Sequence, residues 1–211
     1  MDKYLCPTPI FDCDSEIIKK TAMQVIENCA NPQQKAVELF YFVRDRITYN
    51  LYVKKHMPEH FMASNTLLRG KGYCVQKAVL LVTLARAADI PAQLGCAKIR
   101  NHLVPQKVLD ILGSNIFPWH GYANIYLNER WIKATPAFDI QMCNDHGFVP
   151  VEFDGQTDAM FPSYNKAGKP HIEYLLDRGP FDDVPLDEIR KALIERNMLD
   201  PEDLARDLSA Q

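Results

Sequence analysis

Between residues 14 and 30 the apolar positions Ile18, Ala22, Val25 and Cys29 recur at helical spacing, behind Asp14 or Ser15, either of which can cap a helix start. A second helix is predicted from Asn31-Pro32-Gln33-Gln34, which supplies a capping residue, proline at the first helical position and glutamine at the third. Ala36, Phe40, Val43 and Ile47 carry its apolar stripe to about Thr48. Residues 49 to 72 lose the period. Pro58, Gly70 and Gly72 break it and predict a long loop, and loops of that length tend to carry function. From Cys74 to about Ala88 apolar residues cover nearly every face, which predicts a helix buried on most sides, and Pro91 stops it.

A two-residue period then takes over. Residues 93 to 99 read as a strand, and residues 122 to 127 and 130 to 134 read as an antiparallel hairpin joined tightly at Asn128-Glu129. Residues 140 to 184 are rich in turn signals, namely Asp154-Gly155, Gly168-Lys169-Pro170 and Gly179-Pro180, and predict irregular chain. A helix from 186 to about 197 and a short one begun by Asp200-Pro201 close the sequence. Helices followed by an antiparallel sheet make an α+β chain, and 211 residues without internal repeat or clear linker fit one domain.

Composition narrows the classes of function. Hydrophobic residues at 47% and charged ones at 24% exclude a collagenous, disordered or coiled-coil chain. A net charge of -3 gives no positive field to gather nucleic acid or anionic lipid, so neither is expected as a partner. Six cysteines, at 6, 13, 29, 74, 96 and 143, are too dilute for a disulfide scaffold and suggest a reducing compartment. Met1-Asp2-Lys3-Tyr4-Leu5-Cys6-Pro7 lacks an apolar signal core, and no stretch approaches the roughly 18 uncharged residues of a membrane helix. The expected location is the cytoplasm.

One cysteine stands in a chemically distinct place. Gly70-Lys71-Gly72-Tyr73-Cys74 delivers a thiol to the first turn of the buried helix, where unpaired N–H groups and the helix dipole favour a thiolate and should lower its pKa. Residue type alone argues the opposite, since free cysteine commonly serves as a small buried hydrophobe. A thiolate nucleophile needs a base that can return the proton, and histidine is suited to that task. His120 opens a strand whose alternation places it with Tyr122, Asn124 and Tyr126, a polar and aromatic face that would read as a site beneath a helix. A water-satisfied histidine at a strand edge is the bland alternative.

The segment GYCVQKAVLLVTLARAADIPAQL resembles the cysteine helix of the transglutaminase-like superfamily, in which Gly-x-Cys precedes a buried helix and a GIPAR-type turn. His120 to Pro136 resembles that superfamily's His-x-Trp-x-Glu-x-Tyr-Leu strand and the next strand, which bears Trp and Asp-Pro. Tyr122 stands for the first Trp, while Tyr126-Leu127 and Trp131 are retained. The resemblance spans about residues 33 to 139. It implies a papain-like core in which the buried cysteine helix packs on an antiparallel sheet. Residues 140 to 211 are expected, from their turn-rich composition and position, to be a C-terminal extension wrapping that core.

It further implies Cys74 as nucleophile, His120 as general base and acid, and a thioester acyl-enzyme formed from a peptide, protein or small amide or ester, with no cofactor or metal. Hydrolysis is the expected outcome and amine transfer its competitor, while a binding module that has lost its chemistry is the alternative reading. The third member of a triad is open. Thr135 stands where the superfamily usually has Asp, and a hydroxyl orients imidazole without adding charge. Asp139 is the nearest carboxylate. On an extended chain it would lie about 13 Å away, so it serves only if the chain bends after Pro136. Some bacterial relatives resemble this chain in an Ala-Thr-Pro-x-Phe stretch followed by Asn or Asp, and Asp139 is taken as the orienting residue.

Other candidates carry less. His56 and His60 flank Pro58, which excludes a helical metal pair. Cys143 and His146 lack a second pair to complete a tetrahedral site. Arg100-Asn101-His102 ends a strand, where polarity is ordinary, though it could line a cleft. Asp182-Asp183 and Asp187-Glu188 precede a helix and suit its positive end.

Overall fold

The computed structural model describes residues 1–195. Three helices, α1 (Glu16–Val25), α2 (Pro32–Arg46) and α3 (Ala63–Arg69), pack around a central helix α4 (Cys74–Ala87), whose other side lies on a sheet. Asn31 caps α2 by accepting from the Gln34 N–H at 2.9 Å, and the Gln34 side chain in return accepts from Ala30 N–H at 2.7 Å. Every residue of α4 from Cys74 to Arg86 is buried, as its all-round apolar pattern requires. Its polar members are tolerated because each finds backbone acceptors. Gln76 donates to the carbonyls of Lys54 and His60, Lys77 to those of Arg44 and Ile47, Thr83 to Val79 and Arg86 to Ala92 and Cys6.

Two short parallel strands, β1 (Thr48–Tyr49) and β2 (Lys71–Gly72), fasten the ends of the long loop together directly before α4. The loop is not wholly irregular, since α3 lies within it. The main sheet is antiparallel in the order β5 (Arg130–Ala134), β4 (Ile116–Leu127), β3 (Ala92–Asn101), β6 (Ile172–Phe181). The expected hairpin closes with Leu127 opposite Arg130, and Asn128 and Glu129 both take positive φ, 49° and 64°, the geometry of a tight primed turn.

Strand β6 falls inside the stretch read as turn-rich. Its Gly179 and Pro180 signal a turn locally, yet a sheet edge accepts proline because that strand need not donate on its outer side, and both pair in register with β3, opposite Cys96 and Gly95. Gly95 on β3 has no side chain because the Tyr122 ring crosses it; a Cβ there would lie 2.0 Å from the ring. The Tyr122 hydroxyl thereby reaches Asp177 on β6, donating at 2.7 Å, and Lys133 pairs with the other carboxylate oxygen.

Helices α5 (Gln106–Leu112) and α6 (Ile140–His146) occupy connections that carry no clear period in the sequence. The last described helix is α7 (Leu186–Glu195), whose Ile189 and Leu193 are buried against the body. The short helix expected from Asp200-Pro201 lies outside the described residues. Among the described residues no helix is long and apolar enough to cross a membrane.

Candidate active site

Cys74 is the first residue of α4. Tyr73 precedes it in extended conformation, and the Gln76 side chain accepts from the Tyr73 N–H at 3.2 Å, fixing the helix start. The sulfur lies against the middle of β4. Its thiol donates to the Trp119 carbonyl at 3.9 Å, and the N–H groups of Gly121, Val75 and Cys74 itself act on it. That approach depends on Gly121, where a Cβ would stand 2.7 Å from the Val75 Cα and 3.2 Å from its nitrogen.

Gly121 is thus the β4 residue turned to α4, and alternation puts His120 on the other face of the strand. The face bearing His120 is covered not by a helix, as expected, but by the chain near 159–161 and by β6. Ala159 bridges Ala134, its carbonyl accepting from Thr135 N–H at 2.9 Å, and this brings the Phe161 ring to 5.0 Å from the imidazole at 34°. Tyr174 stands edge-on to the imidazole at 6.1 Å. His120 is 1% exposed, and its Nε2 lies 3.0 Å from the Thr135 Oγ1. Cys74 and His120 line one cleft with Tyr49, Phe117 and Phe138, but no hydrogen bond joins them.

Asp139, expected behind the imidazole, directs its carboxylate elsewhere. Oδ1 caps α6, accepting from Met142 N–H at 2.9 Å, and Oδ2 accepts from Tyr49 N–H at 2.8 Å. The chain does bend after Pro136, but the bend starts α6 instead of returning the carboxylate to His120, whose hydrogen-bond partner is the Thr135 hydroxyl. Asp139 therefore anchors Tyr49, which contributes to the wall of the cleft beside Cys74.

Burial governs the electrostatics. It pushes the Cys74 thiol up to about 11, against the lowering expected at a helix start, because loss of water outweighs the three N–H groups and a neighbouring cation. Burial lowers His120 to about 3. Both groups are consequently neutral near pH 7, a thiol beside an imidazole. The cation is Lys55, whose ammonium burial lowers to about 8. It donates to the carbonyls of Leu51 at 2.6 Å and Val53 at 3.3 Å and stands 5.8 Å from the Tyr73 ring centre. Sequence reasoning missed Lys55, Tyr49 and Phe161 because each reaches the site from a connection without periodicity. For Lys55 and Tyr49 the signal available was the length of the loop after α2, and Phe161 had none.

The weaker candidates resolve into structural roles. His56 and His60 pack their rings 4.5 Å apart, and among the described residues no three His, Cys, Asp or Glu side chains gather as a metal site. Cys143 is buried, while His146 stacks on Phe148 at 5.4 Å. Arg100 and His102 both bond Glu173, whereas Asn101 between them does line the cleft. Asp182 pairs with Lys3, and Asp183 accepts from Thr8 and from Val184 N–H.

Compared with known families, residues 19–136 match the model of the Transglutaminase-like superfamily. No curated protein matches the chain. Among solved structures it is similar to a protein from Cytophaga hutchinsonii provisionally named a cysteine protease, at 18% identity and a TM-score of 0.48, over 63% of this chain and 40% of that one. It is also similar to the periplasmic domain of TgpA from Pseudomonas aeruginosa, at 20% identity and a TM-score of 0.42, over 57% of this chain and 43% of that one. A third, from Parabacteroides distasonis and provisionally named a protease, shares 15% identity at a TM-score of 0.41, over 59% of this chain and 25% of that one. The chain thus spans less than half the length of each.

Proposed function

The chain belongs to the transglutaminase-like superfamily, and on that premise we propose that it is a cysteine hydrolase that attacks an amide or ester carbonyl through Cys74. The observation that carries the reading is the shared cleft of Cys74 and His120, one at a helix start and the other held at Nε2 by Thr135. With Nε2–H donating to the Thr135 hydroxyl, Nδ1 is the ring nitrogen left to accept a proton.

The neutral pair dictates the sequence of events. As the Cys74 sulfur bonds to the carbonyl carbon, its proton passes to His120, and the carbonyl oxygen takes the negative charge. The N–H of Cys74 at the helix start and the ammonium of Lys55 stabilise that charge, and also the developing thiolate. Collapse breaks the bond to the amine or alcohol, which leaves with the proton from His120, and a thioester remains. Water, deprotonated by the same imidazole, then releases the acid and the free thiol. No metal or organic cofactor enters these steps. Peptides, proteins and small amides are the substrate class, and a reducing compartment such as the cytoplasm keeps the sulfur in the required state.

A p-nitrophenyl ester tests the reading. Quenching in acid should trap one acyl group on Cys74, identified by mass spectrometry of the digest. Cys74→Ala should remove the adduct, and His120→Ala should slow its formation by about 100-fold or more, the usual contribution of a positioned base. Equal acylation of wild type and His120→Ala, or no adduct on Cys74, defeats the proposal and leaves a binding module. Added butylamine separates the two outcomes, since hydrolysis predicts that the free acid stays the main product.

A further inference from the structure

The space beside Cys74 is unequal on its two sides. Towards α7, Ile189, Ala192 and Leu193 close over Tyr73, Cys74 and Trp119 and leave a cavity of about 20 Å³, room for little more than one water. Away from α7, the cleft of Cys74 and His120 shares Tyr49, Asn101, Phe117 and Phe138 with a trough of about 310 Å³. That volume reaches the range of small-molecule sites. Its walls are Leu51, Val104, Val108, Phe138 and Met142 with the rings of Tyr49 and Tyr52, and no charged side chain lines it among the described residues. Two asparagines are present, but the Oδ1 of each is already engaged, Asn50 by Tyr52 N–H and Asn101 by Leu103 N–H.

From this we infer that the trough is the enzyme's main specificity subsite and holds a large, uncharged apolar or aromatic group of the substrate, with only a small group accommodated on the α7 side. The inference rests on the reading of Cys74 as the reacting sulfur and adds to it the class of substrate. Apolar matter gains from leaving water here because Val104 and Val108 are only half-buried, and Tyr49 and Phe138, already packed edge to face at 5.0 Å, present a rigid aromatic floor. A carboxylate or ammonium would lose its hydration against walls that return no counter-charge. A glutamine carboxamide would find too few partners to favour it over a ring.

N-substituted iodoacetamides read the subsite without turnover. Relative to their rates with glutathione, N-hexyl and N-benzyl iodoacetamide should alkylate Cys74 at least tenfold faster than N-ethyl or N-carboxyethyl iodoacetamide. Val108→Asp, which sets a charge in the trough wall, should reduce the preference to within twofold. Equal rates across the four reagents, or a preference untouched by Val108→Asp, overturn the inference.

A second measurement is independent of the thiol. In Cys74→Ala, N-benzylacetamide should shift the methyl resonances of Val104 and Val108 saturably while N-acetyl-β-alanine does not, and absence of that shift also overturns it. Failure here with intact acylation of Cys74 by the p-nitrophenyl ester rejects the subsite alone. Failure of acylation with intact shifts rejects the catalytic reading alone.

Discussion

A methyl group added at Gly121 would stand 2.7 Å from the Val75 Cα, and neither backbone can withdraw without parting β4 from the helix that carries Cys74. Gly121→Ala should therefore cost about 1–3 kcal/mol of stability, as other forced overpackings do, and should slow acylation in the fraction that remains folded. Urea titration and acyl trapping on the same sample measure the two effects. The hydroxyl behind His120 offers a separate test. Thr135→Val should slow acylation by up to about tenfold, the worth of one hydrogen bond. Thr135→Asp should raise the imidazole pKa by adding the missing negative charge, moving the acid limb of the pH–rate profile upward. An unmoved acid limb in Thr135→Asp would show that residue 135 does not govern the base.

Asp139 shows how a short helix and the cleft depend on one carboxylate, which caps α6 and holds Tyr49 at the same time. Asp139→Ala should lower stability by about 1–2 kcal/mol for the lost cap, whereas Asp139→Asn keeps the cap through its single oxygen but sets an amide N–H against the Tyr49 N–H, and should recover only part of that loss. Neither should shift the acid limb of the pH–rate profile, as a residue orienting His120 would. For α7, Ile189→Asp places a charge where a buried side chain closes the cavity over Cys74, and it should raise the iodoacetamide rate at Cys74 severalfold while lowering the melting temperature, because the side chain it replaces belongs to the core.

The elements that local chemistry announces were legible in the sequence. Asn31-Pro32 starts α2, the all-apolar surround of α4 buries it, and Asn128-Glu129 turns the hairpin. Seven-residue helices such as α3, α5 and α6 span too few turns to show a period, and β6 exists through its pairing with β3, a long-range contact that Gly179-Pro180 conceals. The same contrast holds at the site. Cys74 sits at the helix start that its motif reveals, while His120, expected to open its strand, lies inside β4, which already begins at Ile116, and Thr135 or Asp139 as the imidazole's partner depended on the direction of a bend, which no residue pattern fixes.

The molecule as a whole keeps two imidazoles away from water. His120 is lowered to about 3, and His171, stacked 4.1 Å from Phe148 with neither ring nitrogen bonded to another described group, is lowered to about 4. Both lie below the ordinary histidine value, so between about pH 6.5 and pH 4 the unfolded chain binds protons that the folded chain refuses. Stability then falls as pH falls, by at most about 1.4 kcal/mol per pH unit for each histidine. His171→Phe, which keeps the stack and removes the titrating nitrogens, should raise the melting temperature more at pH 5 than at pH 7.5. Equal gains at both pH values would assign the effect to packing alone.

The protonated state of Cys74 also bears on how the thiol withstands oxidants. Peroxide reacts with thiolates, and a sulfur held protonated near 11 behind α7 offers almost none. An enzyme that stored a thiolate–imidazolium pair would be open to oxidation whenever substrate was scarce. Under the proposed mechanism the sulfur becomes nucleophilic only as its proton moves to His120, so hydrogen peroxide should inactivate the protein more slowly than it oxidises a free cysteine at the same pH. The burial that raises the barrier to ionisation doubles as an antioxidant shield.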